Sequence, residues 1–122
     1  MSAIDVRDIG DVAAAVLTQS GHLGKTYTLT GPDSLTHQDI ATSLTRATRS
    51  QITFSDVEPA QFGQYLQGIL PSWQLDGLLE DYAHYRRGEA ARTTNTVTEI
   101  TGKTGRSFDE FATEFSAEFV GY

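Results

Sequence analysis

Lys25-Thr26-Tyr27-Thr28-Leu29-Thr30 is the stretch on which the fold reading turns. Tyr27 and Leu29 alternate with threonines, and a β-rich alternating hexamer predicts a strand. Gly31-Pro32-Asp33 after it reads as a turn. Gln51-Ile52-Thr53-Phe54-Ser55-Asp56-Val57 predicts a second strand, and the residues between the two predict a helix. Strand, helix, strand implies a parallel pair joined by a right-handed crossover. Two parallel strands are marginal alone. They must be covered by helices, extended by another domain, or extended by another copy of the chain.

Upstream, Ile9, Val12, Ala13, Val16 and Leu17 recur at helical spacing, which predicts a helix over about residues 8–19 that ends at Gly21 and Gly24. Thr36 with Asp39 three residues on resembles a capping box and opens the crossover helix, which runs to about Thr48. Downstream, Pro59 suits a first helical turn. Phe62, Tyr65, Leu66 and Ile69 form that helix's face, and Pro71 breaks it. Leu75, Leu78, Leu79 and Tyr82 are in phase on the next helix, which stops at Gly88. A short helical turn carries Val97 and Ile100. Ser107 caps a last helix with the stripe Phe108, Phe111, Ala112, Phe115 and Phe119, too apolar for a free surface. The expected fold is α+β, a parallel two-stranded βαβ unit surrounded by five to six helices, in one domain over residues 1–122.

The 122 residues are 39% hydrophobic, enough for one core. The chain has no cysteine, so disulfides, thiolate metal sites and Cys nucleophiles are excluded. Its longest apolar run, Val12–Leu17, is too short to span a bilayer, and its charged first residues do not resemble a signal peptide. The net charge of −7 argues against nucleic acid or an anionic membrane as a partner. A cytoplasmic location is expected.

The familiar catalytic and cofactor patterns fail. Gly24-Lys25-Thr26 and Gly102-Lys103-Thr104 each lack the earlier glycine of a phosphate-binding loop, having Gln19 and Val97 there. No Gly-rich dinucleotide turn occurs. Tyr82 and Arg86 have the spacing of a reductase Tyr–Lys pair, but with Arg in the Lys position. His22, His37 and His84 share no metal-ligand spacing and read as surface residues. The carboxylate pairs Asp76/Glu80 and Asp109/Glu110 lie off the apolar phases, as on a solvated helix face. No catalytic, cofactor-binding or metal residue is therefore assigned. One aromatic group remains: Phe62, Tyr65, Trp73, Tyr82 and Tyr85. They read either as core or as the wall of a ligand pocket or interface at the joint around Pro71.

The order of segments resembles the C-terminal part of NmrA-like atypical short-chain reductases, close to NAD(P)H:quinone oxidoreductases and NmrA-type nitrogen regulators. Asp5-Val6-Arg7-Asp8-Ile9-Gly10-Asp11-Val12-Ala13 resembles the segment after that family's late Rossmann strand. Gly24 to Pro32, Leu35 to Ala41, Ile52 to Val57 and Glu58 to Phe62 resemble the elements that follow. Thr101-Gly102-Lys103-Thr104-Gly105-Arg106-Ser107-Phe108 resembles the family's Thr-Gly-Arg-x-Pro-x-Thr-Phe ending, with Gly105 in place of the proline. The family's hydride transfer depends on a dinucleotide-binding half whose Gly-rich turn is not among these residues. The resemblance thus implies no redox activity for the chain alone, and NAD(P)H as cofactor only if a Rossmann half is supplied.

Three readings follow. The chain is a free-standing small ligand-binding or self-associating protein, or a fragment or subunit of an NAD(P)H:quinone-type oxidoreductase, or a regulatory module that binds a protein partner. A start at Met1-Ser2-Ala3 favours the first. The expected partners are a small apolar or aromatic ligand and a second copy in a homodimer, because two short strands would leave open edges and an uncovered apolar face.

Overall fold

The computed structural model describes residues 1–120. The chain forms six α-helices and a closing 3₁₀ turn: α1 Val6–Thr18, α2 His37–Thr48, α3 Pro59–Leu66, α4 Ser72–Arg86, α5 Thr96–Thr101, α6 Phe108–Glu114, and the turn Ser116–Phe119. Local chemistry explains their starts. The Asp5 carboxylate accepts the Arg7 backbone N–H at 2.8 Å and caps α1. Thr36 and Asp39 make a reciprocal capping box at α2, and Ser107 and Glu110 make another at α6. Pro59 occupies the first turn of α3, where its missing N–H costs nothing. Gly102, at a φ of 72°, ends α5 in the left-handed conformation that glycine adopts without strain.

The chain does not form the expected α+β architecture with its parallel two-stranded βαβ unit. Among the described residues there is no strand, and the one isolated bridge pairs Gln67 with Leu70 inside a turn. Residues 25–30 and 51–57 are non-helical but form no ladder with each other. Their polar backbone finds side chains instead. The Thr94 hydroxyl donates to the Thr28 carbonyl at 2.8 Å, and the Thr94 N–H donates to the Thr30 hydroxyl at 2.9 Å. The Thr45 hydroxyl of α2 accepts the Ile52 N–H at 2.9 Å and donates to the Ile52 carbonyl at 3.0 Å. Alternating β-branched residues favour a non-helical backbone, but a sheet also needs a second strand alongside at about 4.8 Å. Without a ladder, the premise of open strand edges goes too.

Two helix groups build the interior. α2 packs on α6 and the 3₁₀ turn, burying Ala41 and Ala112, while α1 packs on α5, burying Val12, Ala15 and Val97. α3 and α4 pack together, and neither buries a large side chain completely. The phenylalanine stripe continues beyond α6 into the 3₁₀ turn and packs on itself. The Phe111 ring lies 5.8, 5.0 and 6.2 Å from those of Phe108, Phe115 and Phe119.

Two long-range ties close the fold. Buried Asp8 accepts the Arg106 backbone N–H at 2.7 Å and pairs with the Arg106 guanidinium, which also reaches Asp11 at 3.2 Å. The first residues form the second tie. The Leu35 N–H donates to the Met1 carbonyl at 2.7 Å, the Gly31 N–H to the Ser2 carbonyl at 3.3 Å, and the Ser2 N–H to the Ala90 carbonyl at 2.7 Å. Gly31 lies so close that a Cβ there would sit 1.8 Å from the Ala3 carbonyl oxygen. No described helix is long and apolar enough to cross a membrane.

Candidate functional site

The start of α2, the segment through Phe54 and Val57, the first turn of α3 and the second half of α4 surround a cleft of about 620 Å³. That volume suits a small organic molecule. Five aromatic rings stand in its wall. His37, the first residue of α2, stacks on Phe54 with centroids 5.1 Å apart and planes 22° apart. It also meets Tyr82 at 5.5 Å and Tyr85 at 6.3 Å. Tyr82 in turn takes Phe62 edge-on at 5.3 Å and Tyr85 edge-on at 5.7 Å. Such edge and offset contacts add about 0.5–1.5 kcal/mol each beyond simple burial.

The helical phases place these rings. Phe62 comes from α3, and Tyr82 and Tyr85 are three apart on α4, so both reach toward the start of α2. The capping box fixes the first turn of α2 and with it His37. The hydrogen bonds from Thr36 hold the Asp39 carboxyl below the usual carboxylate range, so that turn keeps a negative charge where a helix start favours one. At the other side, Arg86 pairs with Asp56 and donates to the Val57 carbonyl at 3.1 Å, which anchors the Phe54 segment to α4.

Of the five aromatic residues singled out in the sequence, Phe62, Tyr82 and Tyr85 line the cleft together. Tyr65 and Trp73 do not line it; they are 61% and 72% exposed, with Ile69 also exposed. Sequence reasoning missed His37 and Phe54. His37 read as a surface residue and is half-buried among three rings, and Phe54 read as a strand residue and is 43% exposed at the cleft. The capping box just ahead of His37 is the signal that fixed its place.

Neither Gly-Lys-Thr triplet builds a phosphate cradle. The first lies after α1 in a non-helical segment, and the second closes α5 rather than opening a helix. Among the described residues no group of three or more His, Asp or Glu side chains is placed to hold a metal ion. The cleft offers stacking surfaces and a few polar side chains.

No protein-family model matches the sequence. Individual proteins do. An NAD(P)H azoreductase of Xenophilus azovorans is 33% identical over 120 residues, covering 98% of this chain and 42% of that protein. Quinone oxidoreductase 2 of Escherichia coli (strain K12) is 28% identical over 96 residues, 78% of this chain and 34% of that protein. The crystal structure of the Escherichia coli NADPH-dependent quinone oxidoreductase superposes with a TM-score of 0.86 at 24% identity, over 94% of this chain and 42% of that one. The triphenylmethane reductase of a Citrobacter species gives 0.84 at 20% identity, over 97% and 41%. These helices are thus a part of the NmrA-like reductase fold. More particularly, the chain corresponds to the C-terminal part of the NmrA-like quinone reductases, and it spans about two-fifths of the length of the first relatives it matches.

Proposed function

We propose that these residues form the acceptor-binding part of an NAD(P)H-dependent reductase that acts on flat conjugated compounds. The observation that carries this reading is the aromatic cleft, with His37, Phe54, Phe62, Tyr82 and Tyr85 around about 620 Å³. Stacked and edge-on rings present the surfaces that a planar conjugated molecule fills best. The names of the relatives, an azoreductase, a quinone oxidoreductase and a triphenylmethane reductase, agree with such acceptors. Hydride would come from NAD(P)H held by a dinucleotide-binding unit outside these 122 residues. On this reading the chain by itself binds an acceptor and reduces nothing, and it works in the cytoplasm.

The test is a titration of the chain with menadione, followed by amide chemical shifts. Saturable shifts centred on residues 34–38, 54–57 and 79–86 are expected. Shifts elsewhere, or none at saturation, would refute the reading.

A second reading concerns assembly. Leu17, Leu23, Tyr65, Ile69 and Trp73 are all largely exposed, and apolar surface of this kind favours association. We propose that the chain self-associates as a homodimer through this surface. Sedimentation velocity should give a mass above that of one chain, rising with concentration. A single-chain mass unchanged over a tenfold range would rule it out.

A further inference from the structure

The polar atoms at the cleft are not equally available. Arg86 is occupied by Asp56 and the Val57 carbonyl, and the Thr36 hydroxyl by its capping box. The other two histidines of the chain are also engaged. His22 Nδ1 bonds the Tyr27 hydroxyl at 2.8 Å, and His84 Nδ1 meets Glu89 and Arg87. His37 differs from these: its ring contacts are the aromatic ones to Phe54, Tyr82 and Tyr85, and its nitrogens bond to no other group among the described residues. The Tyr82 and Tyr85 hydroxyls at the cleft make no hydrogen bond there either, but only His37 stands on the capped helix start between Phe54 and those two rings. An imidazole always carries at least one N–H donor. Here that donor lies at the wall of an aromatic cleft, on a ring held by stacking and by a capped helix start.

We propose that His37 is the specificity-determining residue of the cleft. It donates a hydrogen bond to an in-plane acceptor atom of the bound ring, such as a quinone carbonyl oxygen or an azo nitrogen. The cleft then selects flat conjugated compounds that carry such an atom over plain arenes of the same size. The idea rests on the cleft being the acceptor site proposed above, and it adds the residue and the chemical feature that is read. Stacking on Phe54 and Tyr82 provides affinity for any flat ring. The His37 N–H separates a quinone from a hydrocarbon.

The experiment compares 1,4-naphthoquinone with naphthalene as ligands of the full chain, by equilibrium dialysis, in the wild type and His37→Phe. Phenylalanine keeps the ring and removes the donor. The wild type should prefer the quinone by about tenfold, the size expected of one hydrogen bond. His37→Phe should bind both ligands alike, at the wild type's affinity for naphthalene. Equal binding of both ligands by the wild type, or a quinone preference that survives in His37→Phe, would overturn the role of His37 and leave the cleft as an acceptor site. If the wild type binds neither ligand, the acceptor-site reading fails and this inference with it. Should His37→Phe not fold, the ¹⁵N resonances of the wild-type imidazole decide. A shift with naphthoquinone but not with naphthalene supports the proposal, and no difference between the two refutes it.

Discussion

Asp8 and Arg106 meet across 98 residues of chain, the buried carboxylate taking both the backbone N–H and the guanidinium of the arginine. The pair joins the first helix to the loop before the last one. Both ends belong to motifs that the sequence alone displayed, the Asp5–Ala13 segment and the Thr101–Phe108 ending. Removing the carboxylate leaves the Arg106 N–H without its acceptor. Asp8→Ala should therefore cost about 2 kcal/mol of stability and lower the thermal midpoint by several degrees. Asp11→Ala, which removes only the outer partner at 3.2 Å, should change it little. Thermal melts of the two variants compare them directly.

Two glycines make opposite predictions. Gly31→Ala puts a Cβ 1.8 Å from the Ala3 carbonyl oxygen, so the first residues must leave their place beside residues 31–35. A loss of about 3 kcal/mol or failure to fold is expected. Gly10, inside α1, has open space where a Cβ would go. Gly10→Ala should stabilise by about 0.5–1 kcal/mol. Urea unfolding of both variants checks the sign of each.

Asp5 gives a pH-dependent contribution. The hydrogen bond from the Arg7 side chain, helped by the Arg7 backbone N–H, lowers its pKa from 3.8 to about 2. A carboxyl whose folded pKa is depressed stabilises the fold fully above its unfolded pKa, and this is lost as pH falls through the folded one. The window is therefore from about pH 4 down to pH 2. Asp5→Asn keeps a capping side chain but loses the charge. Wild type should exceed Asp5→Asn in stability above pH 4, and the gap should close by pH 2. A gap constant from pH 6 to pH 2 would contradict the assignment.

The cleft and the α3–α4 surface should separate cleanly in binding. Phe54→Ala removes the ring that stacks on His37 and should weaken menadione binding about tenfold with little change in stability, because Phe54 is 43% exposed. Trp73→Phe should leave menadione affinity unchanged, since Trp73 lies outside the cleft wall. Titration of both variants beside the wild type makes the comparison.

Helix starts were legible because their chemistry is local. Thr36 with Asp39, Ser107 as a cap, and Pro59 each announce a helix within four residues. The two strands were not legible as absent. Tyr27 and Leu29 alternating with threonines indicate a non-helical backbone, but nothing within residues 25–30 states what lies alongside. The answer is Thr94, more than sixty residues away. The site divided in the same way. Phe62, Tyr82 and Tyr85 sit in helical phase and were visible as a group. Trp73 looked like part of it because it follows Pro71, yet the first turn of α4 leaves it in solvent. His37 and Phe54 face each other across seventeen positions, and that stacking depends on how the Ile52 backbone docks on Thr45, a contact written in no periodicity.

The seam between residues 1–3 and residues 31–35 also decides how the protein should be handled at the bench. Met1 lines the cleft, and its amino group donates to the Leu35 carbonyl. Any residues joined ahead of Met1 would leave along the cleft wall, a few residues from His37. They would stand beside an added ligand, compete with it or shield it from solvent. Affinities should therefore be measured both with and without residues joined there, because the two preparations present different mouths to the same cleft.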